Sequence, residues 1–205
     1  MVESRNSPLL EARQSARRRE FLIAGIALLG DPDGPAVAVR AVCRRAGLTE
    51  RYFYESFADR DQFVRSVYDE VGARAQEVLV EAVRRTADGR RTEERDHSQA
   101  RAAVEAFVTL MVDDPAMGRV LLLSPLTEPA LGGRGMAMMP AFVRLVHDQL
   151  SGLLDPAEKQ MAAVGAVGAL SSLFLAYLDG TMRVSRERFV DHCMALVLGA
   201  NRSGR

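Results

Sequence analysis

The chain has 205 residues, and its 27 Lys and Arg side chains are balanced by 27 Asp and Glu. Such a length can hold one large or two small domains and bury a substantial core. The zero net charge excludes attraction of nucleic acid by the chain as a whole, so any DNA contact would depend on a local basic patch. Cys43 and Cys193 lie far apart in apolar helical patterns, which indicates buried thiols in a reducing cytoplasm and not a disulfide framework.

The N-terminal region is polar and charged, which argues against a secretory signal. Residues 1–11 have no helical periodicity, and we expect them to form a mobile arm. Arg17, Arg18 and Arg19 then lead into an apolar helix that ends near Gly30. These arginines either begin the helix in solvent or contact DNA phosphates, and the sequence leaves both interpretations open.

Two short helices with a tight turn between them are predicted within residues 39–57. Val39, Val42 and Cys43 recur at three and four residues, and so line one face of the first helix. Gly47 can adopt a positive φ and turn the chain sharply, and Thr49 is a suitable N-cap for the second helix. This is the spacing of a helix-turn-helix, whose second helix enters the DNA major groove.

The segment AGLTERYFYESFADRDQF, residues 46–63, resembles the TetR family of transcriptional regulators. Members typically have Ala-Gly, an apolar residue, Ser or Thr, and then an apolar residue, Tyr, Phe and a basic residue at fixed positions. The matching residues here are Ala46, Gly47, Leu48, Thr49, Phe53, Tyr54, Phe57 and Arg60. The resemblance implies a three-helix DNA-binding domain at residues 13–63, joined to a helical effector-binding and dimerisation bundle at residues 64–205.

The second helix of this motif carries the predicted DNA contacts. Arg51 can donate two parallel hydrogen bonds to guanine, and Tyr52 can pack on a thymine methyl group. By resemblance, Tyr54 and Arg60 occupy positions that contact backbone phosphates. The complete predicted set is Arg44, Arg45, Thr49, Glu50, Arg51, Tyr52, Tyr54 and Arg60. The alternative is that the aromatic residues belong to the core and the arginines are solvated; Phe53 and Phe57 are predicted to be core.

Two features depart from the family pattern. Ala38 occupies a position where many members have a capping Thr, and Arg51 and Tyr52 replace small residues that are common in the second helix of the motif. The second departure changes the expected operator sequence.

The rest of the chain has helical periodicity and no strand alternation, which predicts an all-α fold. Helices are expected at residues 59–85, 99–112, 115–122, 136–154, 156–178 and 185–198, with a polar loop at 86–98. Asp59 with Gln62, and Asp155 before Pro156, are the clearest helix-start signals. We place the domain boundary inside the first of these helices.

Residues 161–178 contain no charged side chain and approach the length of a membrane span, but Ala, Gly and Ser dominate them. We therefore predict a helix buried between protein surfaces and no membrane contact. Paired with the last helix, it would form a two-fold contact with a second copy, or else pack within one monomer. The predicted dimer residues are Gly165, Ala169, Ser172, Phe189 and Val197.

Methionines and aromatic residues gather in the middle of the bundle segment, where they line either an adaptable apolar cavity or an ordinary core. The predicted cavity residues are Phe107, Met111, Met117, Leu121, Met138 and Phe142.

His97, His147 and His192 are scattered, with no metal-binding or phosphate-binding motif around them. We predict no enzyme, metal or cofactor. The preferred interpretation is a cytoplasmic homodimeric regulator, a repressor released from a palindromic operator by a small, largely apolar effector. The alternative is a helical dimer that binds a protein partner or a small molecule without binding an operator.

Overall fold

The computed structural model describes residues 7–34, 36–86, 93–150 and 155–200. Within these ranges every regular element is a helix and no residue belongs to a β-strand, as expected for an all-α fold. The expected N-terminal arm lies partly outside the described residues. Its remaining part is helical, because the first helix already begins at Ser7.

Three helices form the N-terminal unit, which we call the head. They are α1 (Ser7–Leu29), α2 (Val39–Ala46) and α3 (Glu50–Ser56). After α1 the chain turns at Asp31, whose carboxylate accepts a hydrogen bond from the N–H of Asp33 at 3.1 Å. Ala38 precedes α2 and makes no side-chain capping bond, as its methyl group requires.

Helix α4 (Arg60–Arg85) runs without interruption for 26 residues from the head into the rest of the molecule. Its predicted start signal is confirmed, since the Asp59 carboxylate accepts a hydrogen bond from the N–H of Gln62 at 2.6 Å. The Gln62 side chain in turn accepts from the N–H of Ala58 at 2.5 Å. The predicted domain boundary after residue 63 therefore falls one turn inside a continuous helix.

The remaining helices, together with α4 beyond its first turn, form the unit that we call the bundle. They are α5 (Glu93–Val108), α6 (Pro115–Gly118), α7 (Ser124–Thr127), α8 (Arg134–Gln149), α9 (Pro156–Leu178) and α10 (Arg186–Ala200). Two π-helical turns, Thr109–Asp113 and Arg119–Leu123, lie shortly before Pro115 and Pro125. Each proline lacks the N–H that a regular α-helical ladder would use.

The helix expected at 136–154 is wrong at its C-terminal end, because α8 spans Arg134–Gln149 and Leu150 has extended backbone. The polar segment 86–98 is not all loop, because α5 already begins at Glu93; residues 87–92 lie outside the described ranges. The start of α9 is as predicted. Asp155 accepts hydrogen bonds from the N–H groups of Ala157 and Glu158 at 2.8 and 3.1 Å, and Pro156 occupies the first helical position.

The head and the bundle share one hydrophobic core that continues along α4. A second junction lies at Gly30, just after α1. A Cβ atom on Gly30 would approach the Cα of Ala116 to 2.6 Å, so α1 ends with its backbone directly against α6. The head is thus attached to the bundle at more than one point.

Candidate nucleic-acid interface and ligand cavity

An aromatic cluster orients α3 within the head. Phe53 is fully buried, and its ring lies 5.6 Å from that of Phe21 and 5.3 Å from those of Phe57 and Phe63. Edge-to-face and tilted arrangements of this kind add specific geometry to the area that they bury. The expectation that Phe53 and Phe57 belong to the core is confirmed.

The turn between α2 and α3 has the predicted form. Gly47 adopts φ 65°, and the N–H of Leu48 donates to the carbonyl of Cys43 at 3.0 Å. Thr49 precedes α3 with extended backbone but makes no side-chain capping bond, so its exposed hydroxyl remains available for another partner. Residue 47 has to be Gly because a side chain would be strained at this φ.

Burial of one face of α2 and α3 leaves a polar face on the other side, which we call the reading face. Its exposed members are Arg40, Arg44, Arg45, Thr49, Glu50, Arg51 and Tyr54. The side chain of Tyr54 is 55% exposed although its ring edge contacts Phe53. Tyr52 is different: it is half-buried, and the Arg17 guanidinium lies 4.1 Å above its ring. Six of the eight predicted DNA contacts therefore belong to this face.

Ion pairs connect several of these side chains. The Nε of Arg40 lies 3.3 Å from a Glu50 carboxylate oxygen, and the Nε of Arg51 lies 3.0 Å from Glu55. Exposed pairs contribute only about 0–1 kcal/mol, so either arginine can leave its carboxylate at small cost. Arg40 was missing from the predicted set. Its position two residues after Ala38, in the first turn of α2, was the available signal.

Arg60 is partly buried and is not among the exposed residues of the reading face. Its Nε donates to the carbonyl of Val37 at 2.9 Å, and its guanidinium pairs with Asp61 at 2.9 Å and Glu128 at 2.5 Å. The Glu128 side chain is only 11% exposed and also accepts from the N–H of Ala130. The hydrogen bond from Arg60 holds the pKa of Glu128 below its ordinary value. This predicted phosphate contact is thus also an ion pair between head and bundle.

The three consecutive arginines of α1 have different surroundings. Arg18 donates to the Ser56 carbonyl at 2.9 Å and lies 4.4 Å above the Phe57 ring, which ties α1 to the end of α3. Arg17 covers Tyr52, and Arg19 is exposed. Two of the three therefore make contacts inside the head.

The bundle contains an apolar cavity of about 720 Å³. This lies within the range of small-molecule sites. Among the predicted residues, Phe107, Leu121, Met138 and Phe142 line it. Met111 and Met117 do not: both are buried in the continuous core, Met111 in the π-helical turn after α5 and Met117 in α6.

The cavity has further lining residues, of which Met136 and Met139 belong to the methionine-rich segment seen in the sequence and the others were not indicated by periodicity. These lining residues include Val80 and Val83 of α4, Met136 and Met139 of α8, Leu170 and Phe174 of α9, and Leu198 of α10. Ser172 and Val197, predicted as dimer contacts, also line this space.

Helix α9 presents an exposed stripe of small and apolar residues. Met161 and Val164 are 66% and 50% exposed, and a Cβ atom on Gly165 or Gly168 would meet nothing within 4 Å. Ala169 is partly buried beside this stripe. The helix is long and apolar enough to cross a membrane, with 28% of its most apolar window buried, although core helices of soluble proteins meet the same criterion.

Phe189 requires a correction. Its side chain is 2% exposed and packs on the rings of Phe174 and Tyr177 at 4.9 and 4.5 Å, so it belongs to the protomer's own core. It has no surface to offer a second copy. The exposed residues of α10 lie on the other side of the helix, among them His192 and Ala195.

Within the ranges that the structure describes, no three His, Cys, Asp or Glu side chains are grouped to hold a metal ion. The site therefore consists of two parts: a basic helix-turn-helix face and an apolar cavity, joined by α4. This combination defines a class of helical folds in which a helix-turn-helix unit is attached to a bundle with a ligand-sized cavity.

Solved structures place the fold within that class. A TetR-like transcriptional regulator from Rhodococcus sp. RHA1 matches with a TM-score of 0.66 and 17% identity, over 91% of this chain and 96% of that one. A TetR family transcription regulator from Marinobacter aquaeolei VT8 matches with a TM-score of 0.60 and 14% identity, over 93% and 97%.

NalD, the secondary repressor of the MexAB-OprM multidrug efflux pump in Pseudomonas aeruginosa, matches with a TM-score of 0.63 and 17% identity, over 92% of this chain and 96% of its own. No family model and no curated protein matches the sequence. The chain has the fold of the TetR-family transcriptional regulators.

Proposed function

We propose that the protein is a homodimeric transcriptional regulator that binds a palindromic operator and releases it when an effector enters the bundle. The reading face carries this proposal, because it gathers four exposed arginines beside the turn of a helix-turn-helix. The fold shared with solved TetR-family regulators supports the same conclusion.

The N-terminal turn of α3 would enter the major groove. Arg51 is 84% exposed there, so its guanidinium is free to exchange Glu55 for guanine O6 and N7. Tyr54 and the basic end of α2 would contact the flanking phosphates, which fix the register without specifying sequence. These contacts compensate locally for the zero net charge of the chain.

A second copy would cover the stripe on α9. Gly165 and Gly168 leave open space, so another helix can approach closely, and Val164 and Met161 supply apolar area to bury. A two-fold dimer presents two reading faces to half-sites about one helical turn apart. We place this dimer in the cytoplasm, without a membrane partner.

Effector binding would change the DNA affinity through α4. This helix lines the cavity at Tyr68 and Val80, and begins at Arg60 in the head. The protein would exist in two arrangements of its heads. An effector that binds one arrangement more tightly than the other increases the population of that arrangement, by an amount set by the difference in affinity. A small, largely apolar molecule suits the lining. Because the fold is shared with NalD, a repressor, we favour repression.

Sequence selection from random duplex DNA at stated salt tests this function. We expect a palindrome with half-sites about one helical turn apart. The double substitution Arg51→Ala with Tyr54→Ala should remove selection without altering the fold, since both side chains are exposed. Arg144→Ala, an exposed arginine on α8, is the matched control and should select the same sequence.

Absence of any selected sequence from the unmodified protein would instead favour a helical dimer that binds a protein or small molecule without an operator. The dimer itself is tested by Val164→Glu, which should yield monomers in analytical ultracentrifugation. Ile23→Glu is the control, because this residue is equally exposed but lies on α1.

A further inference from the structure

The cavity has a polar group at the end where α4, α7 and α8 meet. Tyr68 of α4 is 2% exposed and lines the cavity. A Cβ atom on Gly135 would lie 3.8 Å from the Tyr68 hydroxyl oxygen and 3.3 Å from the Cβ of Pro125. Since Gly135 and Pro125 also line the cavity, the hydroxyl lies at its wall.

This hydroxyl has no hydrogen-bond partner among the residues that the structure describes, a condition shared by few buried polar groups in native proteins. Leaving a buried hydroxyl unsatisfied destabilises the folded protein. Buried tyrosines usually direct the hydroxyl to a partner, and a few polar groups among apolar walls are how small-molecule sites fix orientation. The other uncharged polar side chains of the lining, Gln99, Gln149, Ser171 and Ser172, are partly or fully exposed, so Tyr68 is the buried one.

The charge of the cavity lining restricts the ligand further. Within the described chain, Arg84 is its only charged lining residue, and its guanidinium is paired with Glu81 at 3.0 Å and largely in solvent. A charged ligand would therefore lose hydration without gaining a buried counter-ion. Burial raises the pKa of Tyr68, so the phenol keeps its proton at neutral pH and is a donor.

We infer that the Tyr68 hydroxyl donates a hydrogen bond to an oxygen of the bound ligand, and that this ligand is a neutral hydrophobic molecule with a carbonyl oxygen near one end. Calling this ligand the effector rests on the proposed function. The existence of the binding site does not depend on that function. The contact would hold the ligand between α4 and the start of α8, where Asp69 also pairs with Arg134.

Two pairs of neutral probes test the inference: benzophenone against diphenylmethane, and cyclododecanone against cyclododecane. Within each pair the skeleton is the same and only the carbonyl oxygen differs. Their affinities are measured by displacement of Nile red from the unmodified protein and from Tyr68→Phe. Tyr177→Phe is the matched control, since this tyrosine is partly buried against Phe189 and does not line the cavity.

We expect at least one ketone to bind the unmodified protein more tightly than its hydrocarbon. Tyr68→Phe should weaken the binding of that ketone by about three- to tenfold, which is the range expected for one net hydrogen bond. It should change the affinity for the hydrocarbon by less than about twofold, and Tyr177→Phe should change neither affinity. Equal effects on ketone and hydrocarbon, or no displacement by any of the four probes, would overturn the inference.

A second measurement needs no ligand. Tyr68→Phe should be at least as resistant to thermal unfolding as the unmodified protein, because it removes only an unsatisfied hydroxyl. A lower unfolding temperature would mean that the hydroxyl already has a protein partner, and would also overturn the inference. DNA selection separates the two proposals: a protein that distinguishes ketone from hydrocarbon but selects no DNA retains this site and loses the proposed function.

Discussion

The head and the bundle are both helical and share one core, but they pack in different ways. In the head, rings meet rings: Phe53 and Phe57 lie 5.0 to 5.6 Å from their closest aromatic neighbours. In the bundle, methionines, aliphatic residues and the rings of Phe107, Phe142 and Phe174 together surround about 720 Å³ of cavity. Close-packed rings hold the reading face in one geometry, whereas unbranched methionines can adapt to an occupant. Rigidity and adaptability are thus placed at opposite ends of α4.

The largest expected difference in stability is between the removal of an aromatic ring from the head and the removal of one from the bundle. Phe53→Ala removes a fully buried ring with several aromatic neighbours, and should reduce the free energy of unfolding by about 3–5 kcal/mol. Phe142→Ala should cost less than about 2 kcal/mol, because this ring is partly buried and already borders the cavity. Urea unfolding measures both. Equal losses would mean that the head and bundle parts of the core are packed alike.

Two glycines provide a finer comparison. A Cβ on Gly25 would approach Val67 and Phe63 side-chain atoms to 2.5 and 2.6 Å, whereas one on Gly72 would meet the flexible end of Met138. Gly25→Ala should therefore destabilise by about 1–3 kcal/mol. Gly72→Ala should be neutral, or stabilise by up to about 1 kcal/mol, because alanine favours helix and Met138 can move into the cavity. An equal loss of unfolding free energy in both variants would contradict the conclusion that the bundle adapts more easily than the head.

The ion pair between the regions should have an intermediate effect. Glu128→Gln should reduce the unfolding free energy by about 1–2 kcal/mol at neutral pH, between the effects of exposed and buried pairs. Because Arg60 lowers the pKa of Glu128 in the folded protein, this contribution is complete above about pH 4.5 and is lost as the pH falls through that lowered pKa. Urea titrations of both proteins at several pH values should therefore converge in acid. A constant difference would exclude the carboxylate as its source.

The smallest effect on stability is expected on the reading face. Arg44 is exposed at the end of α2, so Arg44→Ala should change the unfolding free energy by less than about 0.5 kcal/mol. On the selected operator it should weaken binding and make the logarithmic salt dependence shallower by about one. Arg144→Ala should leave both unchanged. A loss of stability with Arg44→Ala would show that this face also supports the fold.

Local features of the sequence were sufficient to predict the helix starts and the turn of the head. Asp59, Asp155 and Gly47 each act through atoms only a few residues away, which is why their positions indicate structure directly. The aromatic core of the head follows equally well from the four-residue spacing of Phe53 and Phe57.

Features that depend on distant parts of the chain could not be predicted in this way. Arg60 pairs with Glu128, which lies 68 residues away, and no local pattern connects them. The cavity has the same origin: Met138 lines it and Met111 does not, although both occur in similar apolar surroundings in sequence. The role of Tyr68 could not be predicted either, because periodicity identifies buried positions but does not show whether a buried hydroxyl has a hydrogen-bond partner.

The uninterrupted length of α4 has a mechanical consequence. Its 26 residues extend for about 39 Å, and Tyr68 lies about 12 Å from its first residue, at 1.5 Å per residue. A tilt of about 10° centred on Tyr68 would therefore move the Arg60 end by about 2 Å, and in a two-fold dimer the two displacements would add to about 4 Å. That exceeds the roughly 3.4 Å step between neighbouring base pairs. In a dimer of the proposed kind, a tilt of this size would therefore be enough to misalign the two heads with their half-sites.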